Sequence, residues 1–164
     1  MMTLSKWEKR FIGVADHIST WSKDPNTKIG AVVAQDFNRQ ILSTGYNGMA
    51  RGVNDEIAER NSRENGEKYF WYGHAERNAV YNAARFGIKL IDTSIYLSKG
   101  CPCTGCTIAI IQAGIRKVVC QAGDPTGSPN DKWSLEAERS KQMFEEAGVH
   151  LKFYTRGGHY GDVE

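Results

Sequence analysis

At 164 residues the chain is sized for a single domain and is long enough to bury a core. Hydrophobic residues make up 40% and charged residues 24%, and the net charge is only +2, too mild to argue for a polynucleotide partner but suited to a small anionic one. No apolar run approaches the roughly 20 residues of a membrane span. The first residues carry no apolar signal-peptide core.

Trp7, Phe11, Val14, Ala15, Ile18 and Trp21 recur at three- and four-residue steps, which predicts a helix over about Ser5–Trp21. Ser5 is its expected cap, with Glu8 as capping-box partner, and Asp24-Pro25-Asn26 its end. The apolar run Ile29–Ala34 predicts a buried strand, and Gln40–Tyr46 an antiparallel partner after the turn Asp36–Arg39. Asn47-Gly48 follows, either as plain turn chemistry or as a place where backbone and ligand approach closely.

Residues 53–72 are polar and mixed in charge, expected as a solvated loop with a short helix. The aromatic cluster Tyr69-Phe70-Trp71-Tyr72 either forms a pocket wall for a flat base or packs beneath a site. A helix over His74–Phe86, a strand over Thr93–Leu97, a helix over Thr104–Ala113 and a strand over Arg116–Cys120 come next. Strand, helix and strand in close succession imply parallel neighbours. A loop over Gly123–Lys132, a helix over Trp133–Ala147 with Leu135, Met143 and Phe144 among its apolar positions, and a strand over Val149–Tyr154 complete the pattern. Residues 155–164, with three glycines and His159, read as a flexible tail. The sum is an α/β fold: three layers, α/β/α, around a five-stranded mixed sheet, with ligands expected at the strand ends.

Three of the four cysteines (101, 103 and 106) fall within six positions, which speaks for a metal site in a reducing cytoplasm. His74-Ala75-Glu76 and Pro102-Cys103-Thr104-Gly105-Cys106 together read H-x-E then P-C-x-x-C, the signature of zinc-dependent nucleobase deaminases. His74, Cys103 and Cys106 are three ligands of types that zinc accepts, and a catalytic zinc keeps its fourth position for water. Glu76 is a carboxylate suited to moving that water's proton. Two residues apart in mid-helix means opposite faces, so His74 and Glu76 share a pocket only where a helix begins. A C-x-x-C alone would also fit a redox pair, or half of a structural zinc site completed by Cys101 or Cys120. Cys120 otherwise reads as a small buried strand residue.

The chain resembles the deoxycytidylate deaminase family of the cytidine-deaminase-like fold over about Ser19–Val119. The resemblance is carried by Ser22-Lys23-Asp24-Pro25-Asn26-Thr27-Lys28-Ile29-Gly30-Ala31, Ser43-Thr44-Gly45-Tyr46-Asn47-Gly48, the two metal motifs, and Gln112-Ala113-Gly114-Ile115. It implies zinc on His74, Cys103 and Cys106, proton transfer by Glu76, and Asn47 meeting the deoxyribose. Ser22, Lys23 and Asn26 become candidates for the 5′-phosphate end, although Lys23 and Lys28 would equally suit solvent. The implied reaction is dCMP to dUMP and ammonia, which feeds thymidylate synthesis, in a cytoplasmic homo-oligomer with no membrane or nucleic-acid partner. Two departures stand out. Residues 53–73 hold no cysteine or histidine for the second, structural zinc of several members, so one zinc per chain is expected. Gln121-Ala122-Gly123-Asp124 stands where some members carry tyrosines, which puts regulation by dCTP and dTTP in doubt. Other readings are a deaminase acting on tRNA or single-stranded DNA, and a zinc-stabilised binding module.

Overall fold

The computed structural model describes residues 3–123 and 132–156. Helix α1 (Lys6–Ser19) begins with the expected capping box. Glu8 Oε2 accepts the Ser5 N–H at 2.8 Å, and Ser5 Oγ accepts the Glu8 N–H at 3.2 Å. Strands β1 (Gly30–Ala34) and β2 (Ile41–Tyr46) follow. A two-stranded ribbon joins β3 (Gly48–Met49) to β4 (Tyr72–Gly73) across a polar segment that carries short 3₁₀ turns and α2 (Lys68–Trp71). Then come α3 (Ala75–Arg85), β5 (Ser94–Leu97), α4 (Thr104–Gln112), β6 (Lys117–Gln121), α5 (Lys132–Glu146) and β7 (His150–Tyr154).

The main sheet has the order β2-β1-β5-β6-β7. β1 is antiparallel to β2 and β5, whereas β5, β6 and β7 run parallel. The fold is therefore the expected five-stranded α/β/α arrangement. Alternation of side chains along the strands sorts the core into two halves. Ala31, Val33, Ile95, Leu97, Val118 and Cys120 face α3, α4 and α5, while Val32, Ala34, Tyr96 and Val119 face α1. Each of these residues is at most 1% exposed, so the central strands read as continuous apolar runs.

Outside that core the hydrophobic pattern overstated burial. Trp21 lies beyond the end of α1 and is 54% exposed, and Leu135 on α5 is 53% exposed. Phe144 is fully buried between α5 and the sheet. Arg156 is held at Asp16, Gln121 and the Ser98 carbonyl, so the described end of the chain stays on the body at a position expected in the tail. Residues 124–131 and 157–164, which include the expected loop and His159, lie outside the described residues.

Helix α3 lies unusually close to β2. Ser43 Oγ donates to the Ala79 carbonyl at 2.7 Å, and Asn82 and Asn78 donate to the Thr44 and Tyr46 carbonyls at 2.7 and 2.8 Å. The close approach needs glycine at position 45, because a Cβ there would stand 2.3 Å from the Ala75 oxygen and 2.4 Å from the Ala79 nitrogen. Both are helix backbone atoms and cannot swing aside. Gly45→Ala is expected to cost about 3 kcal/mol, the upper end of ordinary overpacking. Thermal unfolding should show this as a midpoint lowered by roughly 6–12 °C. An unchanged midpoint would mean that α3 can back away from the sheet.

Candidate functional site

His74 is the N-cap of α3 and Cys103 the N-cap of α4. Each has extended backbone, with φ/ψ of −77°/154° and −69°/167°. This conformation turns both side chains off the helix ends, toward the same point. His74 Nδ1 lies 3.3 Å from Cys103 Sγ and 3.4 Å from Cys106 Sγ. A tetrahedral ion with Zn–S about 2.3 Å and Zn–N about 2.0–2.1 Å would hold its nitrogen and sulfur ligands roughly 3.5 Å apart. The three donors therefore fit zinc. Among the described residues they are the one His/Cys/Asp/Glu group whose ligand atoms all lie within 4.8 Å of one another.

The hydrogen bond from Cys106, against the cost of burial and with help from His74, brings the Cys103 thiol down to about 4. The same bond, and then burial, push Cys106 up. The bond to Cys103 raises His74. Cys101 and Cys120, the spare thiols that a closed structural site would need, are free cysteines hydrogen-bonded to each other.

Glu76 sits in the first turn of α3, two residues from His74, and is only 5% exposed. Its Oε2 is buried without a hydrogen-bond partner. Burial pushes the carboxyl above the ordinary carboxylate range.

The residues expected at the sugar and phosphate end are placed differently from one another. Asn47 precedes Gly48, which pairs with Gly73, so it stands next along the ribbon from His74. Yet Asn47 is 6% exposed and its amide is occupied. Its Nδ2 donates to Asp24 Oδ2 at 3.0 Å and to the Thr27 carbonyl at 2.7 Å, and its Oδ1 accepts the Ile29 N–H at 2.8 Å. A deoxyribose hydroxyl is left at most the second lone pair of Oδ1. Ser22 Oγ donates to the Asn47 carbonyl at 2.7 Å and accepts the Asp24 N–H at 3.2 Å. The Ser22 hydroxyl is buried and engaged within the loop. Lys23 and Asn26 are exposed, and Lys23 pairs with Asp55 at 2.9 Å.

Four residues at or around the site take roles that sequence reasoning does not assign them. Asp24, 0% exposed, binds the Lys68 ammonium at 2.5 Å and also accepts the Asn26 and Thr27 N–H groups. Lys68, from the polar segment, thus anchors the Ser22–Thr27 loop. Trp133, at the start of α5, brings its ring centroid to 6.4 Å from His74 and 6.1 Å from Tyr69. Glu136, one turn further along α5, binds Thr104. The aromatic cluster itself divides. Tyr72 is buried, with its hydroxyl on Asn61. Trp71 donates to Glu67 beneath the Arg60 guanidinium, and Phe70 is 81% exposed. Only Tyr69 reaches toward the metal donors, through Trp133.

Comparison with known proteins adds four findings. Residues 5–122 match the family described as the cytidine and deoxycytidylate deaminase zinc-binding region. An uncharacterized deaminase from the luxG 3′ region of Aliivibrio fischeri is 38% identical over 90% of this chain and 93% of its own. The deoxycytidylate deaminase of Homo sapiens is 36% identical over 90% of this chain and 79% of its own. In fold, the chain resembles the dCMP deaminase of cyanophage S-TIM5, solved in complex with dCMP and dUMP. The TM-score is 0.70 at 20% identity, covering 93% of this chain and all of that one.

Proposed function

The chain belongs to the cytidine and deoxycytidylate deaminase family, and from that membership we propose that it hydrolyses dCMP to dUMP and ammonia with zinc as cofactor. The observation that carries the reading is the open triad of His74, Cys103 and Cys106 beside a buried carboxyl with an unpartnered oxygen. Zinc held by that triad supplies an acidified water, with a pKa near 7. Glu76 accepts one proton from the attacking water at Oε2 and passes it to the ring nitrogen, then takes a second proton from the hydroxyl newly bonded to the ring carbon and passes it to the departing amine as the C–N bond breaks. Trp133 and Tyr69 present aromatic surface beside His74 on which the pyrimidine packs.

Asn47, next to His74 along the ribbon, orients the deoxyribose through its remaining Oδ1 lone pair. Lys23 and Asn26, exposed on the neighbouring loop, receive the 5′-phosphate, with Asp55 displaced from Lys23. Ser22 shapes that loop without touching the ligand. The described residues form one deaminase domain, which works as a homo-oligomer in the cytoplasm. No helix among them is long and apolar enough to cross a membrane.

Purified protein supplied with zinc and offered dCMP, CMP, dCTP, tRNA and single-stranded DNA at equal concentrations should release ammonia from dCMP fastest. Release from tRNA or single-stranded DNA with dCMP untouched would overturn the substrate. Repeating the dCMP arm with added dCTP and dTTP tests regulation. Metal analysis should give close to one zinc per chain. A chelator should remove both the metal and the activity, and a content near two would require a second site.

A further inference from the structure

We propose that Glu136 is a positioning residue for the zinc centre, acting through the helix that carries both cysteines. It extends the zinc reading above and is independent of the substrate. Thr104 is the first residue of α4 and lies between the ligands Cys103 and Cys106. Glu136 Oε2 accepts both its N–H and its Oγ1–H, each at 2.7 Å. A backbone atom and a side-chain atom are thus held by one oxygen, which restrains both the position and the rotation of the first helical turn.

The physical case has two parts. The opening N–H groups of a helix have no partner within it. One of them here lies beside a metal site, where fraying would carry a ligand away. A carboxylate at this end also interacts favourably with the helix dipole. Because Glu136 comes from α5, the restraint ties the cysteine helix to a separate element that packs on the same face of the sheet. Groups that hold metal ligands from behind typically carry a 10–100-fold effect on affinity or activity.

Zinc affinity of the full-length protein, measured by competition with a chromophoric chelator and without any substrate, tests this directly. Glu136→Ala should bind zinc about 10–100-fold more weakly. Glu136→Gln keeps an oxygen that can accept both bonds and should recover most of that loss. Thr104→Val, which removes only the hydroxyl, should fall between Ala and the parent. Glu138→Ala alters an exposed residue of the same helix that pairs with Lys141, and should leave affinity unchanged. Parental zinc affinity in Glu136→Ala would overturn the proposal. So would a loss that Glu136→Gln shares in full, or one that Glu138→Ala matches. If Glu136→Ala does not fold, Glu136→Gln and Thr104→Val decide: the proposal stands if affinity ranks parent, Gln, Val and falls if Val equals the parent. A protein that does not deaminate dCMP but shows this order of zinc affinities would sink the substrate and leave the positioning role intact.

Discussion

Glu76→Gln is expected to lower kcat on dCMP by about a thousandfold, within the range usual for losing a general acid–base group. The amide matches the carboxyl in shape but cannot accept the water's proton and hand it on. The site is closed around this position: Glu76 is 5% exposed, and its Oε2 meets no other donor. Among the described residues the carboxylates nearest in sequence, Glu64 and Glu67, belong to the polar segment, and Glu67 is engaged by the Trp71 indole. Zinc content and melting midpoint should stay near the parent's, because the three ligands are untouched. Single-turnover ammonia release together with metal analysis separates the chemistry from metal loss. Turnover within tenfold of the parent in a fully loaded variant would mean that another group carries the proton.

Lys68→Met should be the most damaging single change to the fold around the site. It removes one partner of a buried ion pair and leaves Asp24 charged at 0% exposure. Such breaks cost about 3–5 kcal/mol. Burial alone would raise the Asp24 carboxyl. The Lys68 ammonium and the Asn26 and Thr27 N–H groups outweigh it, so Asp24 is held below its ordinary value. Its stabilising contribution is accordingly present above the carboxyl's unfolded pKa and is lost as pH falls through the folded one. In Lys68→Met the sign reverses. The carboxyl rises, and the penalty is largest at neutral pH and fades in acid as Asp24 takes up a proton. Denaturant unfolding of both proteins from pH 7 down to pH 4 measures this. A stability difference that stays constant or widens in acid would show that the loss comes from packing and not from the buried charge.

The same loop shows why the hydrogen-bond partners of Asn47 and Ser22 are not legible in the sequence. Asn47 stands before a glycine, which suggests ligand contact, whereas Ser22 is a candidate through the family resemblance alone. Most of their hydrogen bonds go to Asp24, Thr27, Ile29 and each other, which leaves Asn47 one Oδ1 lone pair. In the sequence Asp24 marks the end of a helix and stands in the motif of the resemblance, with no sign of a buried partner. Its partner Lys68 lies 44 positions away in a segment where charged residues are usually solvated, and nothing local marks that lysine as 6% exposed. Leu135 erred in the other direction. Helical spacing identifies candidates for a buried face, but whether another element covers that face depends on how α5 is docked.

The grouping of His74, Cys103 and Cys106 was legible without coordinates. Zinc chemistry dictates residue types, and two ligands three positions apart at a helix start, with a histidine and a glutamate two positions apart at another, satisfy it through local backbone geometry alone. The element order and the parallel half of the sheet were legible for a similar reason, since hydrophobic period and short connections are local properties. The sequence could not say that α1 stands alone on one face while three helices share the other. Nor could it say that Lys68 neutralises Asp24, that Trp133 flanks His74, or that Glu136 braces the cysteine helix. Those facts arise where segments distant in the chain exclude water between them, and a side chain's partner is then set by which surfaces meet.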